Sequence, residues 1–189
     1  MSPSRPSPYP SRPGRPEPEL TVVSPGPFPP IEVEHPYLPY ARMLMQDMAS
    51  AQSEMTAIYQ YMFQHWAVET VQPEFAAALR KIAQVEMRHL DTLGQLVVLL
   101  GGDPRCQASV NNRRSAWNGN MVNYNHQLLS MARGNLTGEQ YARNTYLAQA
   151  NMVRDPKLAA VLRKLAADED IHAGIFQRFF TEFQQSKQP

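Results

Sequence analysis

Two Glu-x-x-His pairs, at residues 86–89 and 169–172, interrupt the apolar stripes of the two most regular helical stretches of the chain. The first stripe consists of Phe75, Leu79, Ile82, Glu86, His89, Leu93, Leu96 and Leu100. The second consists of Leu158, Leu162, Leu165, Glu169, His172, Phe176, Phe179 and Phe183. Steps of three and four residues keep one helix face turned toward a core. A buried carboxylate must be protonated, paired or bound to a metal, and a metal site explains both pairs at once.

The same periodicity predicts four helices between residues 37 and 186. The first covers about 39–69, and the second covers about 74–100 with Pro73 at a plausible first position. The fourth covers about 156–184, where Asp155 and the following proline form a good N-terminal cap. An all-α bundle is therefore expected.

The third helix allows two interpretations. The four residues from Thr137 match a capping box, which would start the helix at Gly138. Alternatively, one long helix covers about 121–153 and tolerates the glycines inside it. We favour the long helix because it places Glu139 well inside the bundle.

Two other segments differ from the helices in composition. Residues 1–36 hold eleven of the seventeen prolines within their first thirty positions, which predicts an extended and disordered tail. This tail is either plain disordered chain or a docking arm for a larger assembly. A connector of about twenty residues, rich in Asn and Arg, follows the glycines that end the second helix. It is long enough to cross a bundle.

The first and third helices share a second pattern, Glu-x-x-Ala-x-x-x-Tyr. The two copies are Glu54, Ala57, Tyr61 and Glu139, Ala142, Tyr146. The lone glutamate precedes the glutamate of the next Glu-x-x-His by 32 residues in one half of the chain and by 30 in the other. The chain is thus two similar helical hairpins, each with one lone glutamate and one Glu-x-x-His.

This duplicated set suits a pair of divalent cations. The six candidate ligands are Glu54, Glu86, His89, Glu139, Glu169 and His172. Residues three apart on a helix lie on one face, so each Glu-x-x-His can offer an oxygen and a nitrogen to the same point. Six ligands for two ions leave positions open for water, hydrogen peroxide or dioxygen. Carboxylate-rich sites with some imidazole favour two iron or two manganese ions, and this is the recognised pattern of dimetal carboxylate bundles. A metal-free polar network is the alternative.

Three further residues are candidates for supporting roles. Tyr61 and Tyr146 lie seven positions beyond a candidate ligand and so share its face. Each could donate to a ligand carboxylate, relay electrons, or pack in the core with a satisfied hydroxyl. Asp168 could accept from a ligand imidazole and so select its tautomer. Val85 holds the equivalent place in the other half, so this support is expected on one side only.

On these motifs, residues 37–184 resemble the ferritin-like superfamily, in particular its rubrerythrin, bacterioferritin and manganese-catalase branches. The run from Leu99 to Pro104 after the second helix is also similar to that group. More narrowly, the chain resembles short rubrerythrin-like and catalase-like proteins of spore-forming bacteria, some of which are spore coat components. The resemblance implies a ferritin-like four-helix bundle with a long crossover between helices 2 and 3.

The resemblance also implies roles for the ligands. They are Glu54 and His89 on one metal, Glu139 and His172 on the other, and Glu86 and Glu169 as bridges between them. In manganese catalases a nearby base can replace the last of these bridges, so Glu169 is expected to act either as a bridge or as a catalytic base. Those enzymes also carry an Arg where Gly138 stands here.

The resulting expectation is a non-haem di-manganese or di-iron oxidoreductase that breaks down hydrogen peroxide, with Glu169, Tyr61 and Tyr146 as catalytic residues. A catalase needs no electron donor, whereas a peroxidase needs a rubredoxin-like or flavoprotein partner. The alternatives are a ferroxidase that handles iron and a structural spore-coat protein that keeps the bundle. A homodimer is expected.

Composition excludes several other classes. A net charge of +1 gives no reason to expect nucleic acid or an anionic membrane as partner. The single cysteine, Cys106, cannot form a disulfide within the chain or a rubredoxin-type iron site. No apolar run approaches a membrane span, and no apolar stretch near the N-terminus indicates a secretory signal. We therefore expect a cytoplasmic protein, with the spore coat as the alternative location.

Overall fold

Two helical hairpins form the body of the molecule. The computed structural model describes residues 20–110 and 113–186. The helices are α1 (Leu38–Ala49), α2 (Glu54–Val68), α3 (Pro73–Leu99), α4 (Leu128–Met152) and α5 (Pro156–Gln185). α1 and α2 follow one another along α3, and α4 packs along α5. The expected all-α four-helix bundle with a long crossover after α3 is confirmed, with α1 and α2 sharing one of the four positions.

The single first helix predicted over 39–69 was wrong, because the chain leaves helical geometry between α1 and α2. Ser50 is extended, and Ser53 caps α2 by accepting a hydrogen bond from the Thr56 amide at 3.4 Å. The Thr56 hydroxyl in turn donates to the Ser50 carbonyl at 3.0 Å. These side-chain hydrogen bonds satisfy backbone groups that a continuous helix would pair internally.

The boundaries predicted for the second and fourth helices are confirmed to within a residue or two. Pro73 begins α3, and Gly101 ends it in the left-handed conformation, with a φ of 82°. The Asp155 carboxylate caps α5 by accepting from the amides of Lys157 and Leu158 at 3.0 and 3.1 Å.

The third predicted helix is continuous through both glycines, as favoured, but it starts at Leu128 instead of 121. Thr137 does not cap a helix start, because its hydroxyl donates to the Arg133 carbonyl one turn earlier at 3.0 Å. Upstream of α4, asparagine side chains accept from backbone amides two residues ahead and so hold the chain in turns. These asparagines are Asn118, Asn123 and Asn125.

The crossover between α3 and α4 contains structure that the sequence analysis did not predict. β1 (Gln107–Val110) pairs antiparallel with β2 (Arg113–Ala116). β1 also contacts α1. After the hairpin, the Trp117 indole donates to the Thr56 hydroxyl at 2.9 Å and so ties the crossover to the start of α2.

The apolar core has two parts with a polar layer between them. One part lies around the end of α3 and the start of α5 and contains Leu44, Leu93, Leu96, Leu158 and Leu162. The other lies around the start of α3 and the end of α5 and contains Phe75, Leu79, Ile82, Phe176 and Phe179. All ten side chains are at most 1% exposed, so both apolar parts are closed to water.

The tail predicted over residues 1–36 is described only from residue 20 onward, so the disorder expected of residues 1–19 lies outside the described residues. Residues 20–36, here called the N-terminal segment, form no helix or strand, as their prolines indicate. They nevertheless contact the bundle. Glu32 pairs with Lys157 at 2.7 Å, and the Glu34 amide donates to Asp155 at 2.7 Å. Residues 20–36 therefore lie against the bundle through these contacts, and the disorder of the tail stays a prediction.

Across the described residues, no helix is both long and apolar enough to cross a membrane.

Candidate metal centre

All six candidate ligands lie in the polar layer between the two apolar cores. Glu54 is the first residue of α2, Glu139 lies near the middle of α4, and the two Glu-x-x-His pairs lie on α3 and α5. None of the six side chains is more than 4% exposed. The sequence interpretation that these residues point inward is correct.

The six side chains divide into two groups that share two members. One group is Glu54, Glu86, His89 and Glu169, and the other is Glu86, Glu139, Glu169 and His172. Within each group, one ligand atom from every residue lies within 4.8 Å of the others. Each group therefore has the composition of one metal site, and the shared carboxylates lie between the two sites.

The shared carboxylates are arranged symmetrically between the two imidazoles. His89 Nδ1 lies 2.9 Å from Glu86 Oε2 and 3.1 Å from Glu169 Oε1. His172 Nδ1 lies 2.9 Å from Glu86 Oε1 and 3.0 Å from Glu169 Oε2. Each carboxylate thus presents one oxygen to each imidazole, which is the geometry required of a bridge between two ions.

The two lone glutamates lie farther out, one on each side. Glu54 Oε1 is 3.9 Å from His89 Nδ1, and Glu139 Oε2 is 3.8 Å from His172 Nδ1. The imidazole centroids are 6.1 Å apart. Each lone glutamate therefore belongs to one group only, in the pairing that the family resemblance implies.

Several buried atoms of this cluster lack a hydrogen bond of acceptable geometry among the described residues. They are both carboxylate oxygens of Glu86, Oε1 of Glu169 and Nδ1 of His89. Leaving such atoms unpaired in a protein interior costs about 1–3 kcal/mol each, and more for charged groups. Bound cations would satisfy all of them, so the donor set fits two divalent metal ions.

The electrostatics of the cluster also fit metal binding. Burial, followed by repulsion from Glu86 and Glu169, raises the pKa of Glu54 and of Glu139 well above the usual value. Burial also opposes ionisation of Glu86 and Glu169, but the facing imidazoles lower the pKa of both carboxyls.

The two imidazoles complete this balance. Burial would lower the pKa of His89 and His172, yet the surrounding carboxylates raise it well above the usual value. The metal-free cluster therefore balances its charges by holding protons, and bound cations would replace those protons.

The two tyrosines donate across the bundle to the lone glutamate of the opposite half. The Tyr61 hydroxyl donates to Glu139 Oε1 at 2.5 Å, and the Tyr146 hydroxyl donates to Glu54 Oε1. Both tyrosines are at most 3% exposed. Of the three roles left open by the sequence, the structure contains the hydrogen bond to a candidate ligand carboxylate.

The outer nitrogen of each imidazole has a partner, but the two partners differ. Asp168 Oδ2 lies 3.4 Å from His89 Nε2, a long hydrogen bond, so the support expected from Asp168 is present. His172 Nε2 lies 2.9 Å from the backbone carbonyl of Val22 in the N-terminal segment. Side-chain support of this kind is therefore present on one side only, as expected, and a backbone carbonyl supports the other imidazole. A backbone carbonyl leaves no mark in the residue types, so sequence patterns could not reveal this partner.

A cavity of about 260 Å³ connects the cluster to the surface. All four candidate ligand carboxylates and both tyrosines line it, together with exposed residues such as Ala51 and Gly138. The two imidazoles are not among the lining residues. A small molecule entering this cavity would reach the carboxylate side of the cluster. A Cβ atom added at Gly138 would meet no atom within 4 Å, so there is open space at this point of the cavity wall.

A second pair of polar contacts flanks the cluster and follows the same duplication. Gln64 and Gln149 each lie ten residues after a lone glutamate. The Gln149 amide donates to both carboxylate oxygens of Asp47 at 2.9 and 3.0 Å. Gln64 accepts from the Asn135 amide at 2.6 Å. Burial raises the pKa of Asp47 to about 7, although the hydrogen bonds from Gln149 oppose this shift.

Comparison with known proteins agrees with this architecture. The sequence profile of the ferritin-like domain family matches residues 49–185. No curated protein sequence is a significant match to the chain.

Solved structures of the same fold include a manganese catalase from Anabaena, KatB. It is 21% identical, with a TM-score of 0.75 over 87% of this chain and 81% of that one. The bacterioferritin of Desulfovibrio desulfuricans, solved with its diiron site in different catalytic states, is 18% identical, with a TM-score of 0.64 over 78% of this chain and 81% of that one. Mycobacterium tuberculosis bacterioferritin is 21% identical, with a TM-score of 0.64 over 80% of this chain and 89% of that one. At these identities the likeness establishes the fold alone.

Proposed function

The chain belongs to the ferritin-like domain family, and we propose that it is a dimetal oxidoreductase that breaks down hydrogen peroxide by a catalase-type reaction. The observation that carries this proposal is the pair of buried ligand groups that share Glu86 and Glu169 at the inner end of a surface cavity. Glu54 and His89 would complete one site, and Glu139 and His172 would complete the other. Either manganese or iron suits these ligands.

Two bound ions, each changing its oxidation state by one electron, would supply the two-electron exchange that converts two molecules of peroxide into two of water and one of dioxygen. The reaction consumes peroxide as both oxidant and reductant. It therefore needs no rubredoxin-like or flavoprotein donor, which a peroxidase would require.

The protein's own groups have separable tasks in this proposal. Glu86 and Glu169 would hold the ions at a fixed separation, since each presents one oxygen to each imidazole. This placement favours a bridging role for Glu169 over the role of a free base. Tyr61 and Tyr146 would act as catalytic residues by holding a proton at the hydroxyl that faces a lone glutamate in the cavity wall.

Ferroxidase activity in iron handling is the second candidate. The bacterioferritins of the same fold favour it, because that of Desulfovibrio desulfuricans has a diiron site. Such a protein would oxidise Fe²⁺ with dioxygen or peroxide and accumulate the product. The N-terminal segment lies over one side of the bundle. Measuring the size of the assembly would test whether subunits that carry this segment form a closed cage.

The decisive experiment measures the metal content of the purified full-length protein, then oxygen evolution after addition of hydrogen peroxide. We expect two manganese or iron ions per chain and one dioxygen for every two peroxides consumed, without an added donor. Consumption of peroxide only with a reductant would indicate a peroxidase. Rapid Fe²⁺ oxidation in a large, iron-filled assembly would favour iron handling instead of peroxide breakdown. Absence of bound metal would contradict both functions.

A further inference from the structure

We propose that the N-terminal segment is a positioning element of the metal centre, in which Val22 and Ser24 orient the imidazoles of both halves. This inference rests on the dimetal binding proposed above. It assigns a role to a stretch of chain that the sequence patterns mark only as a tail.

At the α5 side the contact is direct. The Val22 carbonyl accepts from His172 Nε2 at 2.9 Å, and His172 is fully buried. A carbonyl oxygen can only accept, so it holds the hydrogen of the neutral imidazole on Nε2. The lone pair of Nδ1, the nitrogen beside Glu86 and Glu169, is then free for a metal.

At the α3 side the contact passes through Asp168. The Ser24 amide and hydroxyl donate to Asp168 Oδ1 at 2.6 and 2.5 Å, while Oδ2 of the same carboxylate lies 3.4 Å from His89 Nε2. Lys164 closes the arrangement by donating to the Ser24 carbonyl at 2.8 Å and to Asp168 Oδ1 at 3.1 Å. Ser24 is 8% exposed and Asp168 is 2% exposed, so water competes little for these bonds.

One short piece of chain therefore acts on both sites. Val22 and Ser24 are two residues apart, and the backbone bends at Val23 between them. The duplication explains why the chain needs this element. Asp168 stands directly before Glu169, whereas the equivalent residue before Glu86 is Val85, which has no side-chain acceptor to offer. The Val22 carbonyl supplies the acceptor that the other half of the duplication lacks.

The test compares full-length variants by their affinity for Mn²⁺ and by the rate at which a chelator removes Mn²⁺. Ser24→Ala removes the hydroxyl that fixes Asp168, and we expect it to weaken binding at one site about tenfold. Ser24→Thr keeps the hydroxyl and should restore most of the affinity. Lys157→Met is the matched control, because it breaks the exposed contact of the same segment with Glu32 far from the imidazoles.

A second measurement uses the reciprocity of linked equilibria. If the segment orients the imidazoles, Mn²⁺ binding must slow hydrogen exchange of the Ser24 amide, and Ser24→Ala should reduce this protection. The exchange-coupled electron paramagnetic resonance signal of the Mn²⁺ pair should also change in Ser24→Ala and remain unchanged in Lys157→Met. A segment that merely covers the bundle would shift melting temperature in both variants and leave the Mn²⁺ signal alone.

Wild-type protein that binds two Mn²⁺ while Ser24→Ala binds them with the same affinity, release rate and signal would overturn this inference alone. Wild-type protein that takes up no Mn²⁺ or iron would overturn the proposed function together with it.

Discussion

The two halves of the bundle differ most at the same place, a few residues before the lone glutamate. The first half breaks between α1 and α2 just before Glu54, whereas α4 runs without interruption through the stretch before Glu139. The sequence offers a capping box at Thr137, which would allow a helix start there, and predicts a single helix over about 39–69 that includes Glu54. A capping residue therefore allows a helix to begin at its position, and contacts with the rest of the fold decide whether a helix begins there.

At the break before α2, the tertiary partner is Trp117 of the crossover. The Thr56 hydroxyl donates to the Ser50 carbonyl and accepts from the Trp117 indole, so the break is held from both sides. Thr137 instead donates its hydroxyl hydrogen to the Arg133 carbonyl of its own helix. The cavity that reaches the cluster is lined by Ala51 from the break and by Gly138 from α4, so the two halves open the same path by different means.

The cluster of candidate ligands is far more symmetric than the helices that carry it, and substitutions of these ligands test that symmetry with the largest expected effect. Glu86→Gln and Glu169→Gln should each abolish binding of both ions. Oxygen evolution should fall by at least about a thousandfold, which corresponds to about 4 kcal/mol in the activation free energy. Metal analysis and an oxygen electrode measure this. If Glu169→Gln keeps two ions while Glu86→Gln loses them, Glu169 is a nearby base and the symmetry is false.

The flanking polar pairs break the symmetry, because Gln149 faces the acid Asp47 whereas Gln64 faces the amide Asn135. Burial raises the pKa of Asp47 from 3.8 to about 7, so the folded protein keeps a proton that the unfolded chain releases. The contribution of Asp47 to the free energy of unfolding is therefore fully present below pH 4 and is lost as the pH rises from about 4 to 7.

Asp47→Asn should remove that loss and make the two pairs alike. We expect the variant to be more stable than the parent at pH 8 by up to roughly 4 kcal/mol, with little difference at pH 4. Urea unfolding of both proteins at the two pH values measures the gain. An equal gain at both pH values would mean that the benefit does not come from ionisation of Asp47.

The two tyrosines test the symmetry between the halves with a smaller expected change in stability. Tyr61→Phe and Tyr146→Phe each leave a buried carboxyl oxygen without its donor, which should cost about 1–3 kcal/mol in the unfolding free energy of the metal-free protein. Near-equal losses are expected from the crossed, symmetric hydrogen bonds. Tyr141→Phe is the control, since Tyr141 lies on α4 with 49% of its surface exposed. A loss in the control as large as in either variant would contradict this account.

Access through the cavity, which residues of both halves line, is the difference with the smallest expected effect. Gly138→Arg should narrow the path and lower kcat/KM for peroxide roughly tenfold while both metals stay bound. Gly174→Arg makes the same change at an exposed position of α5, where an added Cβ atom also meets no atom within 4 Å, and should leave kcat/KM unchanged. Steady-state kinetics with metal analysis of each variant separates blocked access from metal loss.

The sequence by itself determined which side chains meet. Helical periodicity places Glu86, His89, Glu169 and His172 on core-facing stripes, and the repeated spacing brings Glu54 and Glu139 to the same layer. These features rest on geometry that repeats every few residues, so local pattern is sufficient to predict them.

Only the tertiary structure decided the interruption before α2, the small hairpin in the crossover and the seating of the N-terminal segment. The interruption and the seating of the segment depend on hydrogen bonds between residues far apart in the chain, Trp117 with Thr56 and Val22 with His172, and the hairpin packs against α1. A backbone carbonyl is common to every residue and an indole hydrogen bond has many possible acceptors. Such partners are selected by the packed arrangement of the helices, which no local sequence pattern contains.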